Sequence, residues 1–107
     1  MKSLFTSVPE IQPQSGERKK PYREFLRVPS MSAGVYLLPA GAIDEQKPHH
    51  EDEIYYVIRG RGRFTVGAGV QEVSAGSFIF VAAEVEHRFH DITEELALLV
   101  FFAPAET

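Results

Sequence analysis

The sequence contains no cysteine and no tryptophan. The first absence removes disulfide stapling, thiolate metal ligands and a cysteine nucleophile together. It also suits a reducing compartment, and a cytoplasmic location is the expectation. Long apolar runs are missing too: the longest, near Leu96–Ala103, is too short to span a bilayer. The opening Met1–Thr6 meets Pro9 without the apolar stretch of a secretory leader. Positive charge gathers only at Arg18-Lys19-Lys20, in a chain of net charge −4. Nucleic-acid binding needs a basic face to neutralise phosphates, so neither nucleic acid nor membrane is an expected partner. No G-x-S-x-G elbow occurs, which argues against a serine hydrolase. Gly60-Arg61-Gly62-Arg63 lacks the further glycine of a dinucleotide loop and reads as a tight turn between two strands.

What is present describes one small β domain. The 107 residues leave room for a single domain, and 44% of them are hydrophobic, including eight Phe and four Tyr. Residues 1–22 carry Pro9, Pro13, Pro21, Ser15 and Gly16 and read as an extended N-terminal arm; residues 23–107 form the domain. Strands are expected around Phe25–Val28, Val35–Leu38, Ile54–Ile58, Arg63–Val66, Val70–Val73, Ser77–Val81, His87–Asp91 and Leu96–Phe102. Gly67-Ala68-Gly69 between two of them is a hairpin signal. Residues 91–97 read as a short acidic connection, and no window has a helical pattern. Short strands at roughly ten-residue spacing, punctuated by glycine turns, predict an all-β sandwich or barrel.

All four histidines fall in two places, His49-His50 and His87…His90. Side chains of an extended segment alternate between faces. His49, Glu51 and Glu53 therefore form one set and His50 and Asp52 the other, while His87, Phe89 and Asp91 share a face. If the two segments are neighbours in a barrel, His49, Glu53 and His87 converge inside it. Two imidazoles and a carboxylate suit Fe(II), Mn(II), Ni(II) or Zn(II) with positions left open. The same residues on exposed loops would bind nothing, and parity alone does not choose. Tyr55 shares the parity of Glu53, which allows it either to line a cavity or to pack in the core.

Two longer patterns bear on that choice. The stretch from Gly41 through His49 and Glu53 to Gly60 resembles the first cupin motif, G(X)5HXH(X)3–4E(X)6G. The stretch from Gly76 through His87 to Asp91 resembles the second, G(X)5PXG(X)2H(X)3N. The resemblance implies a double-stranded β-helix, the jelly-roll cupin barrel, with one divalent transition metal in its mouth. Carried over by position, His49, Glu53 and His87 are the metal ligands. Lys47 falls where the motif has its first histidine, and an ammonium is no ligand at neutral pH. Three arrangements remain open: a three-ligand site, His50 substituting through a local bulge, or a metal-free barrel with Lys47 beside Glu53. In the second motif Ala82, Glu84 and Asp91 replace proline, glycine and asparagine.

Lys47, Tyr55, Phe80 and Phe89 are the expected cavity residues, with Glu53 and Tyr55 as the candidates for catalysis. The function so implied is metal-dependent chemistry on a small oxygenated molecule, as a dioxygenase, isomerase or lyase. The alternative is a module that binds metal or ligand for sensing or storage without turnover. Small cupins commonly pair, so a homodimer and a small-molecule ligand are the expected partners.

Overall fold

The computed structural model describes residues 3–12, 22–44 and 47–107. In chain order they form α1 (Val8–Ile11), β1 (Tyr22–Val28), β2 (Met31–Leu38), β3 (Asp52–Val66), β4 (Gly69–Ser74), β5 (Phe78–Val81) and β6 (His87–Ala103). All pairings among the strands are antiparallel, in the order β1-β2-β6-β3-β4, with β5 also on β3. This is the expected all-β double-stranded β-helix. Among the described residues no helix is long and apolar enough to cross a membrane.

Two strands make the barrel. The first part of β3 (Glu53–Tyr56) lies between β5 and the end of β6, and its last part pairs with β4 and the start of β6. Each strand thus serves both ends of the barrel by bending. Gly60 has φ +103°, and a Cβ there would collide with the Glu95 carbonyl oxygen of β6, so only glycine fits this close crossing. Register shifts between Val57 and Arg63 and a left-handed Asp91 (φ +48°) accompany the bend. Bulges of this kind turn a ribbon without ending its pairing.

Three expectations are corrected here. Gly60–Arg63 is a bend inside one strand rather than a turn between two, and residues 91–97 continue β6 rather than connecting two strands. Asp91 is exposed and does not share the inner face of His87 and Phe89, because an inserted residue reverses the alternation beyond it. A fourth, that no window is helical, also gives way: the described residues include one helical turn, α1, with Pro9 in its first positions, where a missing N–H costs nothing. Residues 13–21 of the proposed arm lie outside the described residues.

Apolar residues pack on both faces of the central strands. Inside the barrel Tyr55, Val57, Phe64, Phe89, Leu96, Leu98 and Phe102 form the main cluster. Outside, Ile11 of α1 covers Val35, Leu37 and Ala97. This explains why β2 is buried on both faces instead of alternating. The Gly67-Ala68 hairpin forms as expected, with Val66 paired to Gly69.

Candidate metal centre

The start of β3 and the start of β6 bring the site together. Glu53 and Tyr55 point inward from β3, each at most 1% exposed, and His87 points inward from β6 at 3%. His49, on the segment before β3, is held there by its carbonyl oxygen, which accepts from the Glu84 N–H at 2.7 Å. Its ring packs edge-on against Phe102, with centroids 4.9 Å apart. One ligand atom from each of His49, Glu53 and His87 lies within 4.8 Å of the others.

The hydrogen bonds reveal which atoms face the cluster. His87 Nδ1 lies 2.8 Å from the Val85 carbonyl oxygen, which can only accept, so Nδ1 carries a proton. His87 Nε2 is then a lone pair in the neutral ring. It accepts from Tyr55 Oη–H at 3.1 Å and stands 3.0 Å from Glu53 Oε1. While His87 is neutral, neither Glu53 oxygen has a hydrogen-bond donor among the described residues. A buried carboxylate facing an imidazole lone pair is a repulsive arrangement unless a cation or a proton sits between them. Without a metal, a proton on Nε2 can take that place and donate to Oε1. Burial pulls the His87 pKa down, but Glu53, the Val85 carbonyl and Asp44 outweigh it and hold it above 6.5.

Above this cluster is a cavity of about 240 Å³ lined by Tyr22, Tyr36, His49, Glu53, Tyr55, Val100, Phe102 and Glu106. Its polar groups are phenols, carboxylates and one imidazole, with no lysine or arginine among the described residues. The Tyr22 hydroxyl is buried without a partner among the described residues. Burial, with Glu106, Glu24 and Glu53 nearby, raises its pKa and keeps it a proton donor. Asp44 is buried beside the cavity, accepting from Tyr36 Oη–H at 2.8 Å and from the Phe89 N–H at 2.9 Å. A wider groove of about 710 Å³ runs along Arg61–Arg63, Glu72 and Asp91 and brings no histidine into its walls.

Each sequence-predicted residue can now be placed. His49, Glu53, His87 and Tyr55 meet. His50 does not join them: it is exposed and 2.6 Å from Glu84, which raises its pKa. Lys47 is exposed and does not line the cavity, so it does not fill the space beside Glu53. Phe80 is 58% exposed on the outer face of β5, because Val81 takes the inward position. Phe89 is fully buried beneath the site, packed on Phe64 and Tyr55 rather than lining the cavity. Sequence reasoning missed Tyr22, Tyr36, Asp44, Phe102 and Glu106. Asp44 lies within the first motif at a position that the pattern leaves unspecified; the others lie in neither motif, and the pairing of β1, β2 and β6 brings them here.

Comparison with known proteins agrees with this fold. A family model described as a cupin domain matches residues 34–103. An uncharacterized Streptomyces coelicolor protein, SCO3923, is 44% identical over 98 residues, covering 92% of this chain and 93% of that one. Among solved structures, KdgF from Halomonas is similar with TM-score 0.79 at 18% identity, covering 96% of this chain and 94% of that one. A Klebsiella pneumoniae protein with a double-stranded β-helix domain is similar with TM-score 0.77 at 21% identity, over 96% and 91% of the two chains. At those identities the structural likeness concerns the fold alone.

Proposed function

The chain belongs to the cupin family, and from that premise we propose that it is a metal-dependent enzyme acting on a small oxygenated molecule. His49, Glu53 and His87 hold one divalent transition metal. One observation carries the reading: with His87 neutral the buried Glu53 carboxylate has no donor among the described residues, and its Oε1 stands 3.0 Å from the His87 Nε2 lone pair. Two nitrogens and one carboxylate fit Fe(II), Mn(II), Ni(II) or Zn(II), and three protein ligands leave positions open. Bound there, such an ion would supply Lewis acidity toward an oxygen of the bound molecule.

The chain's own groups do the rest. Val85 fixes the His87 ring so that Nε2 faces inward. With Nε2 engaged as a ligand, the Tyr55 proton is released from it and is available to an oxygen in the cavity. Tyr22 offers a second phenolic donor in the cavity lining. Glu53, Glu106 and nearby Asp44 make the cavity acidic, so it suits an uncharged polyoxygenated molecule or one whose anionic oxygen reaches the metal. Val100 and Phe102 supply the apolar wall.

Cobalt substitution followed by a panel of diketones, catechols and sugar-like molecules tests this. A cobalt spectrum that changes with a member of the panel, together with its conversion, supports the reading. A spectrum that changes without conversion points to a binding module. Protein that takes up no cobalt refutes it.

A further inference from the structure

Glu106 belongs to neither motif, yet its carboxylate reaches the outer edge of His49. Its Oε2 lies 3.2 Å from His49 Nδ1, while His49 Nε2 lies 3.9 Å from Glu53 Oε1 on the other side of the ring. Glu106 is not among the residues whose ligand atoms converge, so it addresses the ligand rather than the cluster. We propose that Glu106 is a positioning residue: it accepts the Nδ1 proton of His49 and so turns the Nε2 lone pair toward Glu53 and His87. The consequence for metal affinity rests on the metal-binding reading above, but the tautomer does not.

Three observations carry the assignment. First, the other imidazole of the cluster is built the same way, with Nδ1 tied to the Val85 carbonyl and Nε2 inward. An imidazole presents one nitrogen as a ligand when an acceptor holds the proton on the other. Second, the backbone around Glu106 is fastened where a loose segment would do if the side chain had no task. The Glu106 N–H donates to Oγ of buried Ser32 at 3.0 Å, and Arg27 donates to the Glu106 carbonyl oxygen at 2.6 Å. Thr107 Oγ1–H donates to buried Glu51 at 3.1 Å. Third, Phe102 holds the His49 ring edge-on, which leaves rotation of that ring restricted and its tautomer as the variable to be set.

Two-bond ¹H–¹⁵N spectra of the metal-free protein, above the ordinary histidine range, read the tautomer of each imidazole directly. Zinc affinity of the same proteins is the second readout. The proposal expects His49 with Nδ1 protonated in the wild type and in Glu106→Gln, whose amide oxygen still accepts. In Glu106→Ala the ring should move to a mixture or to the Nε2–H form, and zinc affinity should fall about 10–100-fold, with Glu106→Gln close to wild type. The amide spectrum in the same experiment reports whether each variant is folded. A His49 tautomer unchanged in folded Glu106→Ala overturns the proposal, as does a wild-type ring protonated at Nε2. A tautomer that follows Glu106 in a protein that binds no zinc sustains the positioning role and refutes the metal-binding reading instead.

Discussion

Glu53 should weaken the metal-free protein, and replacing it by glutamine should make that visible. Its carboxylate is buried, with His87 neutral neither oxygen has a donor among the described residues, and His87 Nε2 approaches Oε1 at 3.0 Å. A buried polar group without a partner costs about 1–3 kcal/mol, and a charged one more. Glu53→Gln removes the charge and offers an N–H to the Nε2 lone pair at nearly the same distance. At about 4 °C per kcal/mol for a domain of this size, the metal-free variant should melt roughly 4–12 °C above wild type. The sign of the pH dependence follows from His87. Its folded pKa lies above 6.5, so its protonation stabilises the metal-free wild type fully below that value and is lost as the pH rises through the folded pKa. The advantage of glutamine should therefore be greatest in mild alkali and shrink in mild acid. Metal reverses the comparison. At a hundredfold excess over Kd, wild type should gain about 2.7 kcal/mol, roughly 10 °C, and the variant little. Melting both proteins with chelator and with zinc, at two pH values, is the assay. A Glu53→Gln protein that melts below wild type in chelator, or that gains as much from zinc, would refute the reasoning.

Other consequences follow from particular contacts. Gly60→Ala should destabilise by about 3 kcal/mol, read by urea unfolding, because it combines a positive φ with a collision against the Glu95 carbonyl. His50→Gln should leave metal affinity unchanged, since His50 is exposed and paired with Glu84; calorimetric titration with zinc checks it. Bound metal should be lost on acidification at a higher pH than from a site of equal affinity whose histidine has an ordinary pKa, because a proton competes more strongly for His87 Nε2. Dialysis at stepped pH followed by metal analysis would show it.

Much of this architecture was legible because strand periodicity and motif spacing are local. Glu53 and Tyr55 share an inner face by simple alternation, and Val66-Gly67-Ala68-Gly69 announces its own hairpin. Alternation failed where bulges intervene, and a bulge is a tertiary feature: nothing near Asp91 marks it as left-handed. The family pattern carried further at Glu84, which stands at the motif's glycine and adopts φ +69° as glycine would. Its N–H to the His49 carbonyl and its pairing with His50 accompany that conformation. Phe80 was misplaced by treating an aromatic next to Val81 as inward, when one residue of register decides the face. Asp44 and Glu106 were invisible because their roles arise from contacts with residues 45 and 57 positions away, Phe89 and His49.

The measurement that bears most directly on the central claim is elemental analysis by inductively coupled plasma mass spectrometry, on untagged protein purified without chelator, with His87→Ala alongside. The account predicts close to one equivalent of a transition metal per wild-type chain and almost none in His87→Ala. No metal in either protein, after reloading with iron, manganese, nickel and zinc, would contradict it.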